Sequence, residues 1–144
     1  LHLSSSLSVV PTEAARQALK DFVDSVYLHQ VVGRDPSGGL TRWEDLDQAL
    51  DAPGDASADD QWRIHFHVPL YAEPEELMGT TVAHLEETLD FVAANRSVCS
   101  HFEFETYTWE VLPRHLRADS VIEQLVAEYK WCFDAFAARG IPSA

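Results

Sequence analysis

Residues 62–70 read WRIHFHVPL, and residues 100–109 read SHFEFETYTW. In the first stretch His65 and His67 alternate with Ile64, Phe66 and Val68; in the second, Glu103 and Glu105 alternate with Phe102 and Phe104. A period of two is the mark of a β-strand, with one face polar and the other apolar. Both stretches run into sequence of helical period, which predicts parallel βα units with helices packed on the sheet. Strands of such sheets are normally apolar on both faces, because both faces are covered. Two histidines and two glutamates in that setting therefore call for a chemical reason.

The same plan is legible four times. A first strand over about residues 1–7 precedes Pro11 and a helix with Ala15, Leu19, Phe22 and Val23 on one face. A second strand, residues 25–32, leads into a loop holding Gly33, Pro36, Gly38 and Gly39. Thr41 and Glu44 then form a capping box for a helix ending near Leu50. Residues 51–61 (DAPGDASADDQ) read as a solvated connector. The third strand, residues 63–70, is followed by a helix over 81–94 with Val82, Leu85, Leu89 and Val92 inward. The fourth, residues 101–107, leads past Pro113 to a helix over 120–138, opened by Ser120 and Glu123 and stopped by Gly140. Its apolar stripe is Ile122, Leu125, Val126, Tyr129, Phe133 and Phe136. Strand–helix alternation of this kind predicts an α/β fold of four parallel βα units, one domain over residues 1–144.

Charge narrows the function classes. The chain carries 24 acidic and 10 basic residues, a formal charge of −14, which argues against nucleic acid or an anionic membrane surface as partner. No apolar run approaches the ~18 residues of a membrane span. Cys99 and Cys132, outside any CxxC spacing, fit reduced thiols and a cytoplasmic setting. No phosphate-binding glycine loop and no GxSxG elbow is present.

Aligning the strands gives the triplets His2-Leu3-Ser4, Tyr27-Leu28-His29, His65-Phe66-His67 and Glu103-Phe104-Glu105. The second polar residue of each lies nearer the C-terminal strand end, where βα folds bind ligands. Ser4, His29, His67 and Glu105 form the expected ligand-facing layer, with His2, Tyr27, His65 and Glu103 beneath it. A His/His/Glu set suits a divalent ion; the same groups could equally hydrogen-bond one another in a polar interior. His65 and Glu103 fit supporting hydrogen bonds and substrate contact. Tyr107 and Trp109 at the rim fit stacking on a sugar ring or packing as a lid.

These motifs carry a resemblance. HFHVPL, and HFEFETYTWEVLP some three dozen residues later, resemble the C-terminal half of the xylose isomerase-like TIM-barrel superfamily, the sugar phosphate isomerase/epimerase group. Within it they are most similar to the metabolite traffic proteins of the EboE type; SSSL at 4–7, VYLHQVV at 26–32 and the acidic helix after Pro113 fit the same group. The resemblance implies strands five to eight of a (β/α)8 barrel and a divalent metal such as manganese, zinc or magnesium. His67 matches the seventh-strand histidine ligand and Glu105 the eighth-strand glutamate, and the match stops there; Glu105 and His29 are the expected catalytic residues, His29 serving as a third ligand or as acid/base. Ser4 or Ser5 stands where the enzymes have a glutamate, and His29 or Gln30 where they tend to have an aspartate. The implied function is a metal-dependent isomerase or epimerase acting on a sugar or small metabolite. The alternative is a non-catalytic metabolite-handling protein that keeps the polar pocket. A full barrel needs about 250 residues, so the expectation is a piece of a longer protein, or a half-barrel whose open edges pair with a second copy.

Overall fold

A computed structural model describes residues 1–53, 57, 60–73, 76–104 and 109–142. The topology turns on the glycine-rich loop after the second expected strand. Asp35 Oδ1 accepts from the backbone N–H groups of Ser37 and Gly39 and from Ser37 Oγ, at 2.6–2.8 Å. Gly38 adopts φ +88°, a conformation few other residues reach easily. The loop is thus a tight reversal, and strands β3 (Val31–Arg34) and β4 (Leu40–Trp43) form an antiparallel hairpin, Val31 opposite Trp43 and Arg34 opposite Leu40. Residues 41–43, expected to open a helix, are strand. The helix starts later, as α2 (Leu46–Asp51), with Asp45 as its N-cap.

The chain forms two compact units. One comprises Ser6–Phe66 and Glu73–Thr80. Its basis is a five-stranded sheet in the order β4-β3-β5-β2-β6, with β5 spanning Gln61–Val68, β2 Ser5–Val9 and β6 Gly79–Thr80. β3 is antiparallel to both β4 and β5, and β2 is antiparallel to β6. α1 (Glu13–Leu19) is capped by the Thr12 hydroxyl and buries Ala15 and Leu19. Phe22 meets Phe66 edge-on at 5.1 Å, and the Arg16 guanidinium lies over the Trp62 ring at 5.2 Å. A Cβ on Gly33 would come within 3.0 Å of the Trp43 ring and 3.2 Å of the Trp62 ring, which explains the glycine inside a strand.

The other unit comprises Leu1–Ser5, His67–Ala72 and Thr81–Ala144. Its β1 (His2–Leu3) pairs in parallel with β7 (Glu103–Phe104). α3 (Val82–Ala94) and α4 (Val121–Ala138) match the expected helices; Ser120 caps α4 by accepting from Glu123 N–H, and Gly140 follows it at φ +60°. Leu3, Leu70, Leu85, Leu89, Cys132, Ala135, Phe136 and Ile141 make the core.

The expected fold of four parallel βα units, half of a TIM barrel, is therefore corrected. The described strands form a mainly antiparallel sheet and one short parallel pair. The physical reason is local. Period-two alternation marks a strand but not its direction, and direction is set by the connection, here a five-residue reversal held by one aspartate. The second expected strand is also displaced. Residues 25–28 are exposed, and Asp24 Oδ1 caps a turn by accepting from Val26 and Tyr27 N–H.

Candidate functional site: a buried proton relay

His67 lies at the end of β5 with its side chain fully buried. Ser4, the single residue between β1 and β2, places Oγ 3.0 Å from His67 Nδ1. On the far side of the ring, Nε2 lies 3.1 Å from Oε1 of Glu128, whose side chain is also fully buried. The same carboxylate oxygen accepts from Leu70 N–H at 3.2 Å. All four residues belong to the unit that contains α4.

The arrangement assigns protons. A carboxylate only accepts, so in neutral imidazole Nε2 carries the hydrogen and Nδ1 is left to accept from the Ser4 hydroxyl. An imidazole held between a carboxylate and a hydroxyl is the oriented-base geometry of acid–base and nucleophilic catalysis. Glu128 Oε2 and Gln124 Oε1, one helical turn apart on the buried face of α4, have no hydrogen-bond partner among the described residues. Beside them Tyr71 is half-buried. Burial, and secondarily the Glu128 charge, raise its phenol above the ordinary range, so it remains a neutral hydroxyl. Burial alone pushes the Cys132 thiol up to about 11, which keeps it protonated and unreactive.

The other expected site residues are distributed differently. His29 is buried in the sheet-based unit, its ring 4.7 Å from Phe66, with neither ring nitrogen hydrogen-bonded among the described residues. Its imidazole is held below its usual pKa by burial, against the opposing pull of Asp45 and Asp24. His65 is exposed, with Nδ1 2.8 Å from Gln30 Oε1. Glu103 is exposed beside His2 at 3.1 Å, and Tyr27 is exposed too, so the layer expected to lie deeper is on the outside. Trp109 is half-buried under the Arg117 guanidinium at 5.4 Å. Glu105 and Tyr107 lie outside the described residues.

The metal expected from the resemblance needs several donors at one point. Among the described residues no three or more His, Cys, Asp or Glu side chains are so grouped. Both ring nitrogens of His67 face hydrogen-bonding groups. Glu105, the expected carboxylate ligand, lies outside the described residues. Among the described residues no helix is long and apolar enough to cross a membrane.

Glu128 escaped the sequence reading because the apolar stripe of α4 marked the opposite face of that helix as the one turned to the core. The signal available was the row Gln124, Glu128, Cys132, Ala135, which follows one helix face as regularly as the apolar stripe does. Comparisons with protein-family models, curated proteins and solved structures found no match to this chain.

Proposed function

We propose that the α4-containing unit moves a proton to and from a small polar metabolite, the chemistry of the isomerase and epimerase class. The observation that supports this most is the Ser4–His67–Glu128 chain of hydrogen bonds. His67 acts as acid/base. Glu128 fixes its tautomer and stabilises the imidazolium formed when the ring takes a proton. The His67 side chain is fully buried whereas Ser4 is half-buried, so Ser4 Oγ is the end of the relay nearer solvent. Substrate protons reach the ring through that hydroxyl.

The same observation favours a second reading. A half-buried serine hydroxyl backed by His and Glu has the composition of a nucleophilic triad. Ser4 Oγ would attack a carbonyl while its proton passes to His67 Nδ1. One experiment separates the two. Aldoses, ketoses and their phosphates are incubated in D2O with the protein and exchange at carbon is followed by NMR, while a parallel sample is treated with a fluorophosphonate. Deuterium incorporation reduced on the order of 100-fold in His67→Gln supports proton transfer. Covalent labelling of Ser4, lost in Ser4→Ala, supports the nucleophile. Neither exchange nor labelling sinks both readings and leaves metabolite handling without catalysis.

A further inference from the structure

α4 is turned opposite to what its apolar pattern dictates. Ile122, Val126, Tyr129 and Phe133 are 69%, 63%, 47% and 48% exposed, while Gln124 and Glu128 are buried. At roughly 100° per residue the four apolar positions fall within about 60° of one another, a single seam along the helix. Their spacing of four, three and four residues is that of a coiled-coil core, with Ile122 and Tyr129 at d and Val126 and Phe133 at a. Tyr129 and Phe133 lie 5.9 Å apart between ring centres, and Phe104 of β7 packs on Tyr129 at 4.5 Å from one side, so the exposed part of the seam is an aromatic surface already braced within the unit. A contiguous exposed apolar strip of this kind marks an interaction site.

We infer that the seam is covered by the α4 seam of a second copy of this chain, the two helices running antiparallel across a two-fold axis. Charge selects this occupant. On the outer flank, the residues that follow the d positions are Glu123 and Lys130, of opposite sign and seven apart; the inner flank carries Leu125 and buried Cys132. In an antiparallel pair with a opposite d, Glu123 of each copy lies about 3 Å along the axis from Lys130 of the other, within reach of both long side chains. A parallel pairing in register would instead set these charges beside the opposite flank of the other copy, where Leu125 and Cys132 offer no charge to meet. The contact is isologous, closes on itself and forms no filament. Four residues per copy make a small interface, so the dimer is weak and forms at high concentration. This inference is independent of the proton relay, which lies on the opposite, buried side of the helix.

The test needs no ligand: sedimentation equilibrium of the full chain at near-physiological salt, from micromolar to about 1 mM, with three variants. The parent is expected to dimerise over that range and Val126→Glu to remain monomeric. Glu123→Lys and Lys130→Glu each place like charges across the axis twice and weaken self-association roughly five- to tenfold. Mixing those two variants restores opposite charges at both flanks and returns dimerisation towards the parent value, an outcome misfolding cannot produce. A parent chain monomeric throughout, or a mixture no more associated than either variant alone, overturns the inference and leaves the seam to a different occupant.

Discussion

Glu128 offers the sharpest test of the relay, because its two obvious replacements should part company. Glu128→Ala removes the acceptor of both His67 Nε2 and Leu70 N–H, in a place with no exposed side-chain surface. Each buried donor left unmet costs about 1–3 kcal/mol. Removing one partner of a buried ion-pair-like contact typically costs about 3–5 kcal/mol in all. The expected loss is therefore about 3–5 kcal/mol, a large share of the ~5–15 kcal/mol that holds a domain folded. Glu128→Gln keeps an amide oxygen within reach of both donors and places an NH2 where Oε2 already has no hydrogen-bond partner among the described residues. Its expected cost is about 1–2 kcal/mol. Urea unfolding followed by far-UV circular dichroism measures both, with an unchanged m-value as the sign that the unfolded state is comparable. The reasoning fails if Glu128→Ala falls within about 1 kcal/mol of the parent. It fails equally if glutamine is as damaging as alanine, because the acceptor oxygen would then not be what matters.

Three further outcomes follow from the sheet-based unit. His29 has its folded pKa depressed below the ordinary 6.5, so the unfolded chain takes up its proton first as pH falls. Its contribution to stability is whole above about pH 6.5 and declines as pH drops below that, by at most about 1.4 kcal/mol per pH unit, levelling off below the folded pKa. His29→Leu should flatten that segment of a stability–pH profile while leaving the neutral-pH value unchanged or up to about 1 kcal/mol higher; an unaltered profile would show that His29 is not the titrating group. Asp45→Ala should cost about 1–2 kcal/mol in thermal unfolding, since Asp45 Oδ1 accepts from Leu46 N–H at the α2 cap and from His29 N–H. Gly33→Ala forces a methyl against two tryptophan rings, and a loss of about 1–3 kcal/mol is expected in denaturant unfolding; a neutral result would mean that the rings shift without cost.

What the sequence disclosed follows the reach of its signals. Local ones were legible: Ser120 caps a helix, Gly140 ends one, and the burial of Leu85, Leu89 and Val92 on α3 follows their spacing. Strand alternation also set Ser4 and His67 in one layer, and they lie 3.0 Å apart. It failed for the layer beneath, because His2, His65 and Glu103 alternate equally well on an outer face. Strand direction was not legible, since the Asp35 reversal and a βα crossover share the same Gly/Pro/Ser/Asp vocabulary. Nor was the rotation of α4. Two rows compete on that helix, one apolar and one holding Gln124 and Glu128, and hydropathy always awards the core to the first.

That rotation links the relay to the seam. Turning α4 to bury Ile122, Val126, Tyr129 and Phe133 would gain about 1.5–3 kcal/mol for each side chain taken fully out of water. The observed orientation forgoes much of that gain and buries a glutamate, which is costly unless the charge is met. A helix set by hydrophobicity alone would not choose this arrangement. Opposing it are the hydrogen bonds of Glu128 to His67 and Leu70, and the fit of Cys132, Ala135 and Phe136 into the core. The lower half of α4 therefore supplies ordinary packing while its middle turns hold a polar group in place. Covering the exposed seam by a second copy would recover part of the forgone burial without moving Glu128. On this view the surface that looks misplaced in the isolated chain is the counterpart of the carboxylate inside it.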